Sequence, residues 1–295
     1  MIALRMLRRG RLDRAQAGRR PGLLQQPTGV LGIVLLTGVG LFTLVGAFLY
    51  DGDPYRTNAA TILQSPSLRF PLGTDQLGRD VLARILSAGL ISIPMGVAAI
   101  GIGALVGSAL GLVAGFVGGL FDSLVMRVVD VMLSFPSLLT ALVVVSILGP
   151  SAVTSIVAVS IAAVASYARV VRSTALALRN ATYIEASRVA STRTMRLIGR
   201  HVVRNVLDVL VPLLVIGMGN GMIALAALSF LGIGVQPPQA DWGVMLTDGV
   251  RSIYSAPLVA LAPAVILYLT VAGINLTGEA LGVSLGAGGR TRMDR

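Results

Sequence analysis

The stretch ILSAGLISIPMGVAAIGIGALVGSALGLVAGFVGGLF, from Ile85 to Phe121, contains no charged residue. A helix crossing the hydrocarbon core of a bilayer needs roughly 20 apolar residues. The run is therefore too long for one upright span and too short for two with a turn. One helix over Leu90 to Val117 fits, with the start of the run lying at the interface. Within that helix Gly103, Gly107, Gly111 and Gly115 recur four residues apart and line one face. Helices in lipid associate by close packing, and small residues let backbones approach. The stripe predicts a packing face; the plain alternative is that glycine is common in membrane helices. Gly101-Ile102-Gly103 sits inside the span with no strand before it, which rules out a nucleotide fingerprint.

Outward from this helix the same pattern repeats. Val30 to Leu49 forms a first span, and Asp122 to Leu148 a third with charges only at its entrance. Gly149-Pro150-Ser151 is a turn signal. Ala152 to Ala168 forms a fourth span, and an arginine-rich segment follows to Asp208. Val209 to Leu231 is a fifth, Gly234 to Tyr254 a loop with Pro237-Pro238, and Pro257 to Leu276 a sixth. The expected fold class is an all-α membrane protein of six transmembrane helices. Composition agrees: 55% of the 295 residues are hydrophobic and 13% charged, against about 25% charged in soluble domains, and mean hydropathy is +0.83.

Several chemistries are excluded. All 24 basic residues are arginine, so the phosphate loop GxxxxGK[ST] cannot be built on this chain. There is no cysteine and one histidine, His201, which removes thiolate chemistry and leaves no histidine-rich metal site. The spans show no paired carboxylates or nucleophile set, so no catalytic residue is expected. Net charge is +11, but the arginines flank apolar runs, which favours a membrane topology signal over nucleic-acid binding.

Arginine placement predicts the orientation. Arg5, Arg8, Arg9, Arg11, Arg14, Arg19 and Arg20 precede the first span, eight arginines lie between Arg169 and Arg204, and Arg290, Arg292 and Arg295 end the chain. With six spans these regions share one side, which the excess of basic residues marks as cytoplasmic. The opposite loops hold Arg56, Arg69, Arg79, Arg84 and Arg251, diluted by six aspartates. Arg19-Arg20 before an apolar run resembles a twin-arginine signal, but no small-x-small cleavage site follows, so the first span is expected to remain.

The segment after span four reads as helix, turn, helix. Glu185 and Arg188 share a face, and Ser191-Thr192 offers capping oxygens. Met195, Ile198, Val202, Val206 and Val209 then oppose Arg193, Arg196, Arg200 and Arg204. Periodicity alone fits a basic helix resting on lipid headgroups and a docking element for a cytoplasmic partner equally well. Before span two, Thr74 or Asp75 is a candidate cap for an interfacial helix with Leu77, Val81, Leu82 and Ile85 on its apolar face. Asp241 to Leu246 suits another, with Trp242 and Tyr254 as interfacial aromatics.

Four stretches together resemble the DppC/OppC-type permease subunits of binding-protein-dependent ABC importers for dipeptides, oligopeptides and, in some members, nickel. They are LGTDQLGRD at 72–80, VDVMLSFPSLL at 129–139, YIEA at 183–186, and LSFLGIGVQPP at 228–238 with Trp242-Gly243. The resemblance implies a type I importer permease fold with both termini cytoplasmic. Its divisions are a basic tail over 1–29, a span over 30–50 and an extracytoplasmic segment with an interfacial helix over 51–86. A five-helix transmembrane domain over 87–280 follows, with a coupling loop at about 169–208, and a tail over 281–295. It also implies that Tyr183, Glu185, Ala186, Ser187 and Ser191 form the coupling element seated on an ATP-binding subunit. Ser187 stands where a second alanine is usual, Ser191 where glycine is usual and Arg204 where proline is usual. The implied assembly is this chain, a second (DppB/OppB-type) permease, two ATP-binding subunits (DppD/DppF or OppD/OppF-type) and an external substrate-binding protein. ATP and magnesium would bind on the partners and no cofactor on this chain, which would lie as a multi-pass protein in the bacterial cytoplasmic membrane. Rival expectations are an ion-coupled secondary transporter, which usually carries ionisable groups within its spans, and a membrane scaffold without transport.

Overall fold

Asp80 starts the long central helix: its carboxylate accepts the free amides of Leu82 at 2.9 Å and Ala83 at 3.3 Å, as a helix cap does. The computed structural model describes residues 21–179 and 203–286. Its helices, in chain order, are α1 (Pro27–Leu49), α2 (Val81–Val117), α3 (Gly119–Ser134), α4 (Ser137–Leu148), α5 (Ala152–Arg179), α6 (Val203–Phe230), α7 (Trp242–Val250) and α8 (Leu258–Leu285). No strand occurs among the described residues, only a bridge between Thr74 and Asp80. Five helices are long and apolar enough to cross a membrane, and α3 with α4 makes a sixth if that bent pair is one span.

Three features depart from the sequence expectation. First, α2 is a single helix of 37 residues, roughly 55 Å at about 1.5 Å per residue. That exceeds the ~30 Å hydrocarbon core. The helix expected to be capped by Thr74 or Asp75 begins only at Val81 and is continuous with the span. Residues 72–79 form a loop in which Asp75 accepts the amides of Leu77 and Arg79, Leu77 is exposed, and the cap is Asp80.

Second, the third span is broken, with α3 and α4 meeting at 95°. Phe135 is extended (φ −103, ψ 141), the conformation a following proline imposes on its predecessor. Pro136 also cannot continue the amide ladder.

Third, Trp242 is not an interfacial anchor but fully buried. Its indole N–H donates to the Ile85 carbonyl at 3.2 Å and its amide to the Ser92 hydroxyl at 3.1 Å. Tyr254, by contrast, is fully exposed.

The bundle is held by small residues. A Cβ at Gly103 would stand 2.7 Å from the Ser160 carbonyl and from Ala163; at Gly107, 2.9 Å from Tyr167 Cβ and on top of the Val164 carbonyl. At Gly111 it would fall on the Ala168 carbonyl, and at Gly115 it would lie 2.8 Å from Ala175. All four glycines thus face α5, bringing α2 and α5 into backbone contact. On the far side α8 packs on α1 and α6. Gln26 donates to the Ala280 carbonyl at 3.1 Å and to Ser284 at 2.9 Å, so the start of α1 and the end of α8 share one face of the molecule.

On the opposite face, the loop after α6 folds back over Ser229. The Ser229 hydroxyl donates to Asp241 at 2.7 Å and accepts the Val235 amide at 3.3 Å. Asp241 caps α7 through the Val244 amide at 2.8 Å. Burial pushes its carboxyl above the usual carboxylate range, and these hydrogen bonds oppose the shift. Removing the hydroxyl strands a buried carboxylate oxygen, which costs about 1–3 kcal/mol. Ser229→Ala is expected to lower the melting temperature of the purified protein in detergent, while Ser255→Ala, whose hydroxyl bonds only locally to Ser252, leaves it within error.

Candidate translocation groove and coupling face

Glycine also shapes the other side of the bundle. On α6, a Cβ at Gly221 would lie 2.5 Å from Ile100 of α2, and one at Gly217 would fall on the Tyr167 hydroxyl of α5. α6 therefore sits close to both helices, and Tyr167 donates to the Leu213 carbonyl at 3.2 Å. Beside this contact, α2, α4, α5 and α6 leave an open groove of about 340 Å³. Its walls are mostly apolar, with Ile100, Ala141 and Val159 among them, but Ser137, Ser166 and Asn220 bring polar groups to it. These three are exposed, and the Asn220 amide makes no hydrogen bond among the described residues. An exposed amide at mid-span is unfavourable against acyl chains, because nothing there satisfies it. Its natural surroundings are water or another protein surface, which makes the groove the candidate path for a polar solute. Sequence reasoning passed over Asn220; the available signal was a single amide within the glycine-spaced run GMGNG at 217–221.

The face that holds the ends of α2 and α5 carries paired charges. Arg172 of α5 grips Asp122 at the start of α3 through two bonds of 2.9 Å and 2.6 Å. Arg169 pairs with Asp130 of α3. Next to the Arg169 rung, Val129 packs with Ala165 and Ala168. α3 is thus attached to α5 along one edge, and its outer residues Leu120, Leu124, Val128 and Val131 are exposed. Tyr183, Glu185, Ala186, Ser187 and Ser191, expected from the sequence to form a coupling element, lie outside the described residues. They belong to the connection between α5, which runs to Arg179, and α6, which begins at Val203. The two helices joined by that connection, α5 and α6, both line the groove together with α2 and α4.

On the other face, four charges staple the 50–80 segment to α7. Arg79 meets Asp75 at 2.7 Å and Asp248 at 3.2 Å, while Arg84 meets the same two carboxylates at 3.5 Å and 3.3 Å. Gln76 adds a bond to the Asp248 carbonyl at 3.0 Å. Arg84, Asp75 and Asp80 are buried. The LGTDQLGRD stretch therefore builds a charge-paired platform against α7.

Residues 107–282 match the model of the binding-protein-dependent transport system inner membrane component family. The dipeptide transport system permease protein DppC of Alkalihalophilus pseudofirmus is 35% identical over 259 residues, covering 88% of this chain and 85% of that protein. The glutathione transport system permease protein GsiD of Escherichia coli is 38% identical over 254 residues, covering 86% and 83%. Among solved structures, the inward-facing MetNI methionine ABC transporter aligns with a TM-score of 0.46 and 20% identity over 66% of this chain and 95% of the other. The DppC/OppC likeness carried by the four motifs thus extends over most of the chain. With its bundle of apolar helices, the chain belongs to the binding-protein-dependent transport system inner membrane component family of ABC importer permeases.

Proposed function

We propose that this chain is the permease subunit of an ATP-driven importer for dipeptides or oligopeptides, working beside a second permease, two ATP-binding subunits and an external binding protein. The observation that carries the proposal is the match over 88% of the chain to a dipeptide permease; the glutathione permease points to the same substrate class. Glutathione and dipeptides share a peptide amide and charged ends, which suits a groove offering hydroxyls and an amide rather than fixed charge.

The chain does no covalent chemistry in this account. ATP and magnesium act on the partner subunits, and the Glu185 loop transmits their closure. The loop joins α5 to α6, so its displacement reaches two of the helices that line the groove. The glycine contacts between α2, α5 and α6 suit rigid-body movement between two packed arrangements. Both termini lie in the cytoplasm of a bacterium, on the basis of the arginine bias and the contact between the start of α1 and the end of α8. The ion-coupled alternative has less support: span centres without charge offer no ion or proton site.

Deleting the gene from its host is expected to abolish uptake of radiolabelled dialanine or glutathione, with recovery on complementation. Undiminished uptake of both, with loss of nickel accumulation instead, would replace the peptide substrate.

A further inference from the structure

The segment between α1 and α2 encloses a second cavity of about 340 Å³, outside the helix bundle. Its walls are the exit of α1 from Tyr50 to Asp53, the turn from Asn58 to Thr61, and Arg69 with Phe70; Asp80 closes it beside α2. The frame is held by hydrogen bonds. The Asn58 amide donates to the Leu77 carbonyl at 3.0 Å, the Leu63 amide to the Asp75 carbonyl at 3.1 Å, and the Gln64 amide to the Thr74 hydroxyl at 2.8 Å. Gly78 has φ +71, and a Cβ there would strike the Asn58 carbonyl, so only glycine lets that wall close. Tyr50 donates to the Asp80 carboxylate at 2.6 Å. Burial, then this bond, pushes the phenol well above its ordinary range, so it stays protonated.

The charged groups around this cavity differ from those of the platform beside it. Asp75, Arg79, Arg84 and Asp248 are paired with one another. Arg56, Arg69, Asp51 and Asp53 make no ion pair among the described residues, although all four line the cavity. The Arg69 guanidinium rests over the Phe70 ring, 5.3 Å from its centroid, which restricts its position. The Asp53 carboxylate accepts the Tyr55 amide at 2.8 Å, which restricts another. Unpaired charges of both signs around one concavity match a solute that carries both. A guanidinium fork suits a carboxylate, and a carboxylate suits an ammonium. The volume falls within the range of about 300–1,000 Å³ typical of small-molecule sites.

We propose that this cavity is a receiving site for a short zwitterionic peptide, its carboxylate on Arg56 and Arg69 and its ammonium on Asp51 and Asp53. The assignment rests on the peptide-importer function above and on the orientation that puts this segment outside. A peptide leaving the binding protein would meet this site before the groove.

The test uses the complex purified with its partner subunits, in lipid nanodiscs and without binding protein. Equilibrium dialysis with radiolabelled dialanine is expected to show saturable binding. Binding should weaken at least tenfold in the Arg56→Gln, Arg69→Gln double variant, and equally for N-acetyl-dialanine or dialanine amide. Arg251→Gln, an exposed arginine on the same face, should leave it unchanged. Since Arg56 and Arg69 are exposed and unpaired, the double variant should assemble with wild-type yield and melting temperature.

Absence of saturable binding, or binding indifferent to the double variant, overturns the site. So does a double variant that changes only the binding-protein concentration needed to stimulate ATP hydrolysis, which would make the surface a docking face. If the complex imports dialanine with its binding protein yet shows none of this binding, the receiving site falls and the importer stands. If it imports no peptide at all, the functional assignment beneath it falls.

Discussion

Gly107→Leu is expected to abolish recovery of the folded protein, whereas Gly101→Leu, six residues earlier on the same helix, should be tolerated. The physical difference is what each new side chain meets. At Gly107 the first added carbon already overlaps the Val164 carbonyl and lies 3.1 Å from the Ala168 amide nitrogen. These are backbone atoms of α5 and cannot rotate away. Overpacking costs about 1–3 kcal/mol even where side chains yield. Here the helices must separate along a seam that also includes Gly103, Gly111 and Gly115, so the loss extends over the whole α2–α5 contact. At Gly101 nothing lies within 4 Å of the added carbon. Detergent-extracted yield and the monodisperse fraction by gel filtration read the difference. Normal recovery of Gly107→Leu would mean that the seam does not hold the bundle.

Glu185→Arg is expected to leave folding and assembly intact and to remove transport. In the coupling role proposed for the loop, Glu185 contacts the ATP-binding subunit, and reversing one charge there disrupts the transmitted movement without removing the rest of the contact. Binding-protein-stimulated ATP hydrolysis by the reconstituted complex should fall at least tenfold. Uptake should fall with it, while complex yield stays near wild type. Unchanged stimulation and uptake would remove Glu185 from coupling. The effect differs in kind from that of Gly107→Leu, which acts before assembly.

The apolar spans were legible because lipid imposes a length and forbids charge. The helices α1, α2, α5, α6 and α8 all lie where uncharged runs lie, though most extend further than the apolar run itself. α5, for example, continues past Ala168 to Arg179, because Arg169 and Arg172 find Asp130 and Asp122 on α3. Charge in the sequence marked the end of the apolar run, whereas pairing in three dimensions let the helix go on. The break at Phe135-Pro136 was readable from proline chemistry but was hidden inside a run long enough to span.

Trp242 looked interfacial because it follows a polar loop. Gly243 beside it lies so close to Ala226 of α6 that a Cβ would strike the Ala226 backbone, and that approach sinks the indole into the core. The pairing of Arg84 with Asp248, 164 positions apart, left no trace in local pattern. Nor did the meeting of Asn220 with Ser137 and Ser166 in one groove.

The most direct measurement reconstitutes the purified permeases, ATP-binding subunits and binding protein in proteoliposomes and follows labelled dialanine. Accumulation that requires both ATP and the binding protein, and that persists when proton and sodium gradients are dissipated, is the result this account predicts. Accumulation driven by an ion gradient with the ATP-binding subunits left out would contradict it.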